Sequence, residues 1–426
     1  MALIKSATRI VLLASAISEN VAKLDDILRS RGLCTPSFDE NASADLPEEA
    51  LAMQSVLLDA TIELHDLLLS PMNLLMNKTS RNSMIPFQFI SQLGIADMVP
   101  PGGRISFQEI ASKTGVSEVN ISRVLRHAIT MRVFQEPEPG MVAHTNISKA
   151  LTDPSLNDWL KTSSRDLWPA ATRTFDAVTK WPRSQEPNET AFSLAHNTKL
   201  STYDFFQVHP GRALTFAGFM KAVASNPGFD VRHLVDNYDW HSLGQARVVD
   251  IGGSRGNVAI QLAKSCPELK VLVQDREEVI KGAENELPEE VRGRVSFAVH
   301  DIMRPQTVEA DVYYLRWILH NWPDKYWLVS SCMLILRALI PALKHNARIV
   351  IQEACLPEPG SVPLWKEALL RSADLSMMTL FNARDRTIED WRDLFSEADG
   401  RFVLKSVIQP TGSALAILDL RWNSGG

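Results

Sequence analysis

The chain has 426 residues, 45% of them apolar and 22% charged, with a net charge of −6. That length exceeds one ordinary core and implies two or three domains, and the acidic balance argues against nucleic acid as the main partner, because phosphates demand a basic surface. The four cysteines (Cys34, Cys266, Cys332, Cys355) are scattered with no C-x-x-C pair, which suits a reducing compartment and gives no support to zinc or a disulfide framework.

The N-terminal stretch MALIKSATRIVLLASAISEN places Lys5 and Arg9 before a short apolar run, as a secretory signal does. Ile10, Leu13, Ala14, Ile17, Val21, Leu24 and Leu28, however, keep a spacing of three or four straight through the would-be cleavage site. An amphipathic helix ending near Arg31-Gly32 is the better reading. No apolar run approaches the roughly 20 residues of a membrane span, and a cytoplasmic protein is expected. A polar linker over 35–49 leads to a second helix from Leu51 to about Leu75, with Leu57, Leu58, Ile62, Leu64 and Leu68 as its buried face.

Residues 86–103 read as a helix closed by proline and glycine, and 106–145 as helix, turn, helix and two short strands around Glu136-Pro137-Glu138-Pro139-Gly140. Ser106 and Glu109 form a capping box, and Gly115 supplies the turn between the helices. This is the pattern of a winged helix. Its second helix carries only Arg123 and Arg126 and no basic stripe, so a structural or dimerising role is favoured over DNA binding. From about 156 to 243 the pattern is helical and rich in aromatic residues.

Strands then alternate with helices. Strands are expected at 246–251, 270–275, 295–301, 311–319 and 347–354, and helices at 257–266, around 277–286, from Asp324 to about Leu343, near 364–380 and at 388–397. Continuous apolar strands separated by helices imply a parallel sheet covered on both faces. The last two strands lie too close for a crossover helix and should form an antiparallel hairpin.

Ligands bind such sheets beyond the carboxyl ends of the strands, where Asp250, Gly252, Gly253, Gly256, Asp275, Asp301, His320 and Glu353 fall. The turn at 250–256 reads D-x-G-G-x-x-G and lacks the third glycine of the dinucleotide fingerprint. A carboxylate there repels a pyrophosphate but suits the amino group of S-adenosylmethionine. Asp275 is placed for ribose hydroxyls and Asp301 for an adenine amine. Each Asp taken singly can equally be a helix cap, and a lone His320 can equally be a packed core residue.

Several ordered motifs now carry a resemblance. VVDIGGSRGN, VLVQD, HDIMRP, LRWILHNWPDK, IQEACLPEPG and ARDRTIEDW are similar to those of the class I S-adenosylmethionine-dependent O-methyltransferases of the plant caffeate/flavonoid type, closest to the fungal branch that modifies polyketides. The resemblance implies an α/β fold: a Rossmann-like methyltransferase sheet, parallel with a terminal antiparallel hairpin, plus an N-terminal helical and winged-helix dimerisation domain. It implies a dimerising region over 1–155, a helical connector lining the acceptor pocket over 156–243, and a cofactor-binding catalytic domain over 244–426. His320 stands at the position of the family's general base, with Glu353 and Asp385 beside it. The cofactor set is Asp250, Gly252, Gly253, Gly256, Asp275, Arg276, Asp301, Ile302, Arg316 and Trp317. The acceptor set is Phe206, Phe216, Met220, Met377 and Met378.

The implied activity is O-methylation of a phenolic or polyketide-type hydroxyl, by a homodimer with S-adenosyl-L-methionine as cofactor and no metal, nucleic acid or membrane partner. The chain departs from the pattern at Asn321 (usually Asp), Asp385 (usually Glu), Thr215 (commonly basic) and in FNARDRT, which lacks the usual glycine pair. These departures keep one rival in view, and the winged helix a second. One is a non-methylating dehydratase or pericyclase of the same fold, in which a cationic residue tends to replace the histidine. The other is a DNA-binding regulator, against which the charge argues.

Overall fold

The computed structural model describes residues 7–43, 46–324 and 331–424. Its contacts divide the chain into two units: Met1–Pro169 with Phe206–Val223 and Gly360–Ala368, and Ala170–Phe205 with Ala224–Pro359 and Leu369–Gly426. Among the described residues no helix is long and apolar enough to cross a membrane.

In the first unit the helices Arg9–Ser30 and Leu51–Leu68 pack against each other. The second helix stops short of the expected Leu75. Ser70 precedes Pro71, which disfavours helical backbone, and Ser70 instead caps a separate helix, Pro71–Lys78. Leu58, Ile62 and Leu68 are exposed rather than buried. Among the described residues the closed side of this helix is small, with Ala60 its one buried residue. The winged-helix core is as expected, with Ile90, Phe107, Ile110, Ile121, Leu125 and Val142 at its centre. Ser106 and Glu109 cap the helix Phe107–Thr114 reciprocally, and Gly115 turns the chain at φ +71. Strand β1 (Arg104–Ser106) pairs antiparallel with β2 (Met141–Ala143), and Gln135 bridges to Ala143 across the proline turn.

The second unit is built on a seven-stranded sheet. Its strands are β3 (Arg247–Ile251), β4 (Lys270–Asp275), β5 (Val295–Val299), β6 (Ala310–Arg316), β7 (Leu343–Glu353), β8 (Phe402–Ile408) and β9 (Ala416–Trp422). The order is β5-β4-β3-β6-β7-β9-β8, with β5 through β7 parallel and β8 and β9 antiparallel. Alternation along each strand feeds two cores. Val249, Ile251, Tyr313, Leu315, Ile349 and Ile351 face Leu336, Trp391 and Phe395. Val248, Val271, Val273, Val312 and Val350 face Leu262 and Trp240. The helix Ile388–Ala398 buries Trp391, Leu394, Phe395 and Ala398 at helical spacing behind a Thr387/Asp390 capping box.

Several elements of this unit differ from expectation. Residues 325–330 of the helix expected from Asp324 lie outside the described residues; the described helix is Cys332–Leu339, and a turn at Ile340–Ala342 containing Pro341 delivers β7 at Leu343 instead of residue 347. The helix expected over 277–286 is only Glu277–Ile280 plus a separate turn at Ala283–Glu286, split by Gly282 at φ +78. Strand β6 ends at Arg316, because Trp317 adopts a left-handed φ of +52.

Candidate active site

Strand order reverses direction of growth at β3, with β4 on one side and β6 on the other. The crevice beyond the carboxyl ends at such a reversal is where open parallel sheets hold ligands. Asp250 sits one residue before the end of β3 and is 2% exposed. Its Oδ2 has no hydrogen-bond partner among the described residues. Burial first and then the neighbouring Asp275 push this carboxyl up to about 7, against the pull of Arg316. A buried acceptor left in this way fits a ligand that brings a cation or a donor.

The turn that follows leaves room for such a ligand only because it is glycine. At Gly252, with φ +68, a Cβ would lie 2.5 Å from Ile318 Cδ1. At Gly253 it would lie 2.5 Å from the Asp250 carboxyl carbon. Gly256, also left-handed, opens the helix Asn257–Ser265. The backbone N–H of Ser254 donates to Asp275 Oδ2 at 2.9 Å, and that of Arg276 to Oδ1 at 2.8 Å. Asp275 is thereby fixed at the end of β4 with lone pairs left for ligand hydroxyls. These features fit the aminoacyl and ribose portions of the expected cofactor.

The other cofactor candidates are placed less closely. Arg276 pairs with Glu278 at 3.3 Å on the surface. Asp301 Oδ1 accepts from Met303 N at 3.0 Å in a local turn, and no helix follows it before β6, so it is not the helix cap that the sequence left open. Ile302 packs partly buried against the sheet core. Arg316 donates to Gln352 Oε1 at 3.1 Å and to the Phe229 carbonyl at 2.5 Å, and its guanidinium stands 4.7 Å from the Trp317 ring centroid. Gln352 Oε1 also accepts from Tyr314 Oη at 2.6 Å. Neither Gln352 nor Tyr314 was singled out from sequence, since both look like ordinary strand residues.

His320 lies in the short turn Leu319–Asn321 just past β6. The left-handed Trp317, a conformation costing of order 1–2 kcal/mol outside glycine, turns the amides of Ile318 and Leu319 inward. Both donate to Glu353 Oε1 at 2.8 Å. His320 Nδ1 stands 3.6 Å from Asp385 Oδ1 and 4.0 Å from Glu353 Oε2. Those two oxygens are buried and have no hydrogen-bond partner among the described residues. Burial works against the imidazolium, but Glu353 and Asp385 outweigh it, and His320 is held above its ordinary 6.5. Glu353, completely buried, is raised by burial and by Asp385, against His320. Asn321, where an acid was the family's norm, turns its amide onto the Trp317 carbonyl at 3.0 Å and gives His320 no carboxylate. The structure therefore brings together His320, Glu353 and Asp385 from three separate stretches of sequence.

Two groups that sequence reasoning missed complete this corner. Asp374 Oδ1 accepts from the Asp385 backbone N–H at 2.8 Å. Arg386, with no exposure at all, is paired to Asp324 at 2.6 Å. The Asp-Arg-Thr run that marks the motif was the available signal for Arg386. Of the acceptor candidates, Phe206 and Phe216 stack at 4.6 Å within the first unit, and Phe216 stacks on Phe219 at 5.7 Å. Met220 is partly exposed in that same unit. Met377 and Met378 lie partly buried on the helix Leu364–Phe381, in the portion belonging to the second unit.

Comparison with known proteins bears on this arrangement. A model of the O-methyltransferase domain matches residues 177–400, and one of the O-methyltransferase dimerisation domain matches residues 80–154. The chain is 43% identical to O-methyltransferase PaMT of Phomopsis amygdali over 99% of this chain and 98% of that one. It is 35% identical to chlorophenol O-methyltransferase of Trichoderma longibrachiatum over 98% and 91% of the two chains. The crystal structure of OxaC shares the fold, with a TM-score of 0.76 at 22% identity, covering 98% of this chain and all of that one. With the methyltransferase sheet, the cofactor crevice and full-length fungal relatives in agreement, the chain belongs to the S-adenosylmethionine-dependent O-methyltransferases, in the branch that serves fungal secondary metabolism.

Proposed function

We propose that the chain methylates a phenolic hydroxyl on an aromatic, polyketide-like molecule, with His320 as general base. The observation that carries this reading is the pair of unsatisfied carboxylate oxygens facing His320 Nδ1 at 3.6 and 4.0 Å. When bound in the crevice, S-adenosylmethionine supplies an electrophilic methyl group. Asp250 and the glycine turn hold its charged end, and Asp275 its ribose. The protein's remaining task is to deliver an oxygen nucleophile in line with that methyl. A phenol has a pKa near 10 and is mostly protonated at neutral pH. Nε2 of a neutral His320 takes the phenolic proton, while Glu353 and Asp385 at Nδ1 fix the tautomer and stabilise the imidazolium. Such a base contributes roughly 10²–10⁴-fold. The relative named for chlorophenol, a phenolic substrate, supports the acceptor class.

The reading extends to a homodimer, supported by the dimerisation-domain match and by apolar side chains left exposed along the first unit. It also extends to a reducing cytoplasm, in keeping with four unpaired cysteines. The test is transfer of a labelled methyl group to a panel of phenolic aromatic metabolites, with products read by mass spectrometry. Methylated phenols from the wild type support the reading. Tight cofactor binding with no methylated product from the panel would turn it toward dehydration or pericyclic chemistry.

A further inference from the structure

His320 belongs to a three-residue turn, whose buried backbone donors and acceptors need partners outside it. Glu353 Oε1 takes the donors at the start of the turn. At its other side, Arg386 Nη1 donates to the Leu319 carbonyl at 3.2 Å and Nη2 to the Trp322 carbonyl at 3.0 Å. The Cys332 thiol adds a donor to the Leu319 carbonyl at 3.0 Å, and itself accepts from Arg386 Nη2 at 3.2 Å. The guanidinium is oriented by Asp324 through Nε at 2.7 Å and by the Trp391 ring, 4.9 Å from its centroid.

We infer that Arg386 is a positioning residue for methyl transfer, its guanidinium gripping the carbonyl side of the His320 turn while Glu353 grips the amide side. Arg386 does not touch the imidazole; it acts through the backbone on either side of it. Only a planar fork serves two carbonyls and a carboxylate at once, so lysine, with one ammonium, is no equivalent here. Arg386 follows Asp385 directly, so the same backbone stretch fixes the turn and one of the carboxylates facing Nδ1. The inference rests on His320 being the base.

The test is a double-variant cycle on the full-length chain, with R386K, His320→Ala and the two combined. Turnover, acceptor KM and S-adenosylhomocysteine affinity by calorimetry are measured for each. R386K is expected to lower kcat about 10–100-fold, as displacement of a catalytic group by about an ångström does. Acceptor KM and cofactor affinity should stay within about threefold of wild type, a split that general loosening of the fold would not produce. In the His320→Ala background R386K should cost less than about threefold more, because residues acting as one unit are not additive. Wild-type kcat in R386K, or an equal loss in both backgrounds, overturns the inference. Full activity in His320→Ala alone is a different result, which removes the base itself. Should R386K fail to fold, Asp324→Asn, which weakens the guanidinium's carboxylate anchor, is read through the same cycle with the same criteria.

Discussion

At His320, burial and charge pull in opposite directions, and the two carboxylates win. The folded pKa is raised above 6.5, so the stability this gives is complete below 6.5 and is lost as pH rises through the folded value. Catalysis has the opposite dependence, since only the neutral imidazole accepts a proton. The acid limb of kcat/KM is therefore expected above 6.5 in the wild type. Glu353→Gln keeps an acceptor for Ile318 N and Leu319 N but removes the charge, so its limb should move to lower pH and its kcat should fall; an unmoved limb in a pH–rate profile would separate Glu353 from the base. Asp250 titrates near 7 because it is buried beside Asp275. The ligand's ammonium group needs the ionised form, so S-adenosylhomocysteine affinity should weaken as pH falls below about 7. In Asp250→Asn that dependence should vanish and the affinity at pH 8 should be lower, both readable by calorimetry. Asp250 and His320 were legible as strand-end residues in the sequence. Asp374 and Gln352 were not, because their roles come from contacts between distant stretches that no local pattern announces; Arg386 lay within a legible motif, but its grip on the Leu319 and Trp322 carbonyls did not show there.

Among the elements, the glycine turn has no room for a single added methyl group at Gly252 or Gly253. Gly253→Ala drives a Cβ onto the Asp250 carboxyl, so cofactor affinity should fall at least about tenfold, or about 1.4 kcal/mol, with little loss of thermal stability. Leu336, fully buried between the sheet and the helix Ile388–Ala398, gives the opposite profile: Leu336→Ala should cost about 2–5 kcal/mol in denaturant unfolding with cofactor affinity near normal in the folded fraction. The sequence made the alternation of strand and helix visible, because each strand is a continuous apolar run bounded by turn residues. The terminal hairpin, Phe402–Ile408 with Ala416–Trp422, was visible in the shortness of its connection. Less legible were the places where one residue breaks a period. Pro71 divides a helix whose apolar spacing runs on through it. Trp317 ends β6 three residues early by a left-handed bend that no propensity for tryptophan predicts, and that bend aims the His320 turn.

For the whole molecule, the exposed apolar residues of the first unit are the feature a monomer explains least. Leu68, Met72, Leu75 and Met76 are each more than 60% exposed along the helices Leu51–Leu68 and Pro71–Lys78, and contiguous exposure of this kind marks a protein interface. Sedimentation should show a dimer, and Leu68→Asp combined with Met72→Asp should shift it toward monomer; an unchanged mass would place the interface elsewhere. The proposed chemistry is transfer of the methyl group to a phenol, with His320 removing the phenolic proton. Single-turnover methyl transfer, comparing wild type with His320→Ala at saturating cofactor and phenol across pH, tests it most directly. The expected result is a wild-type rate that climbs with pH to a plateau, and a variant roughly 10²–10⁴-fold slower at neutral pH with cofactor affinity retained. A variant within tenfold of wild type at neutral pH, with the same pH profile, would contradict it.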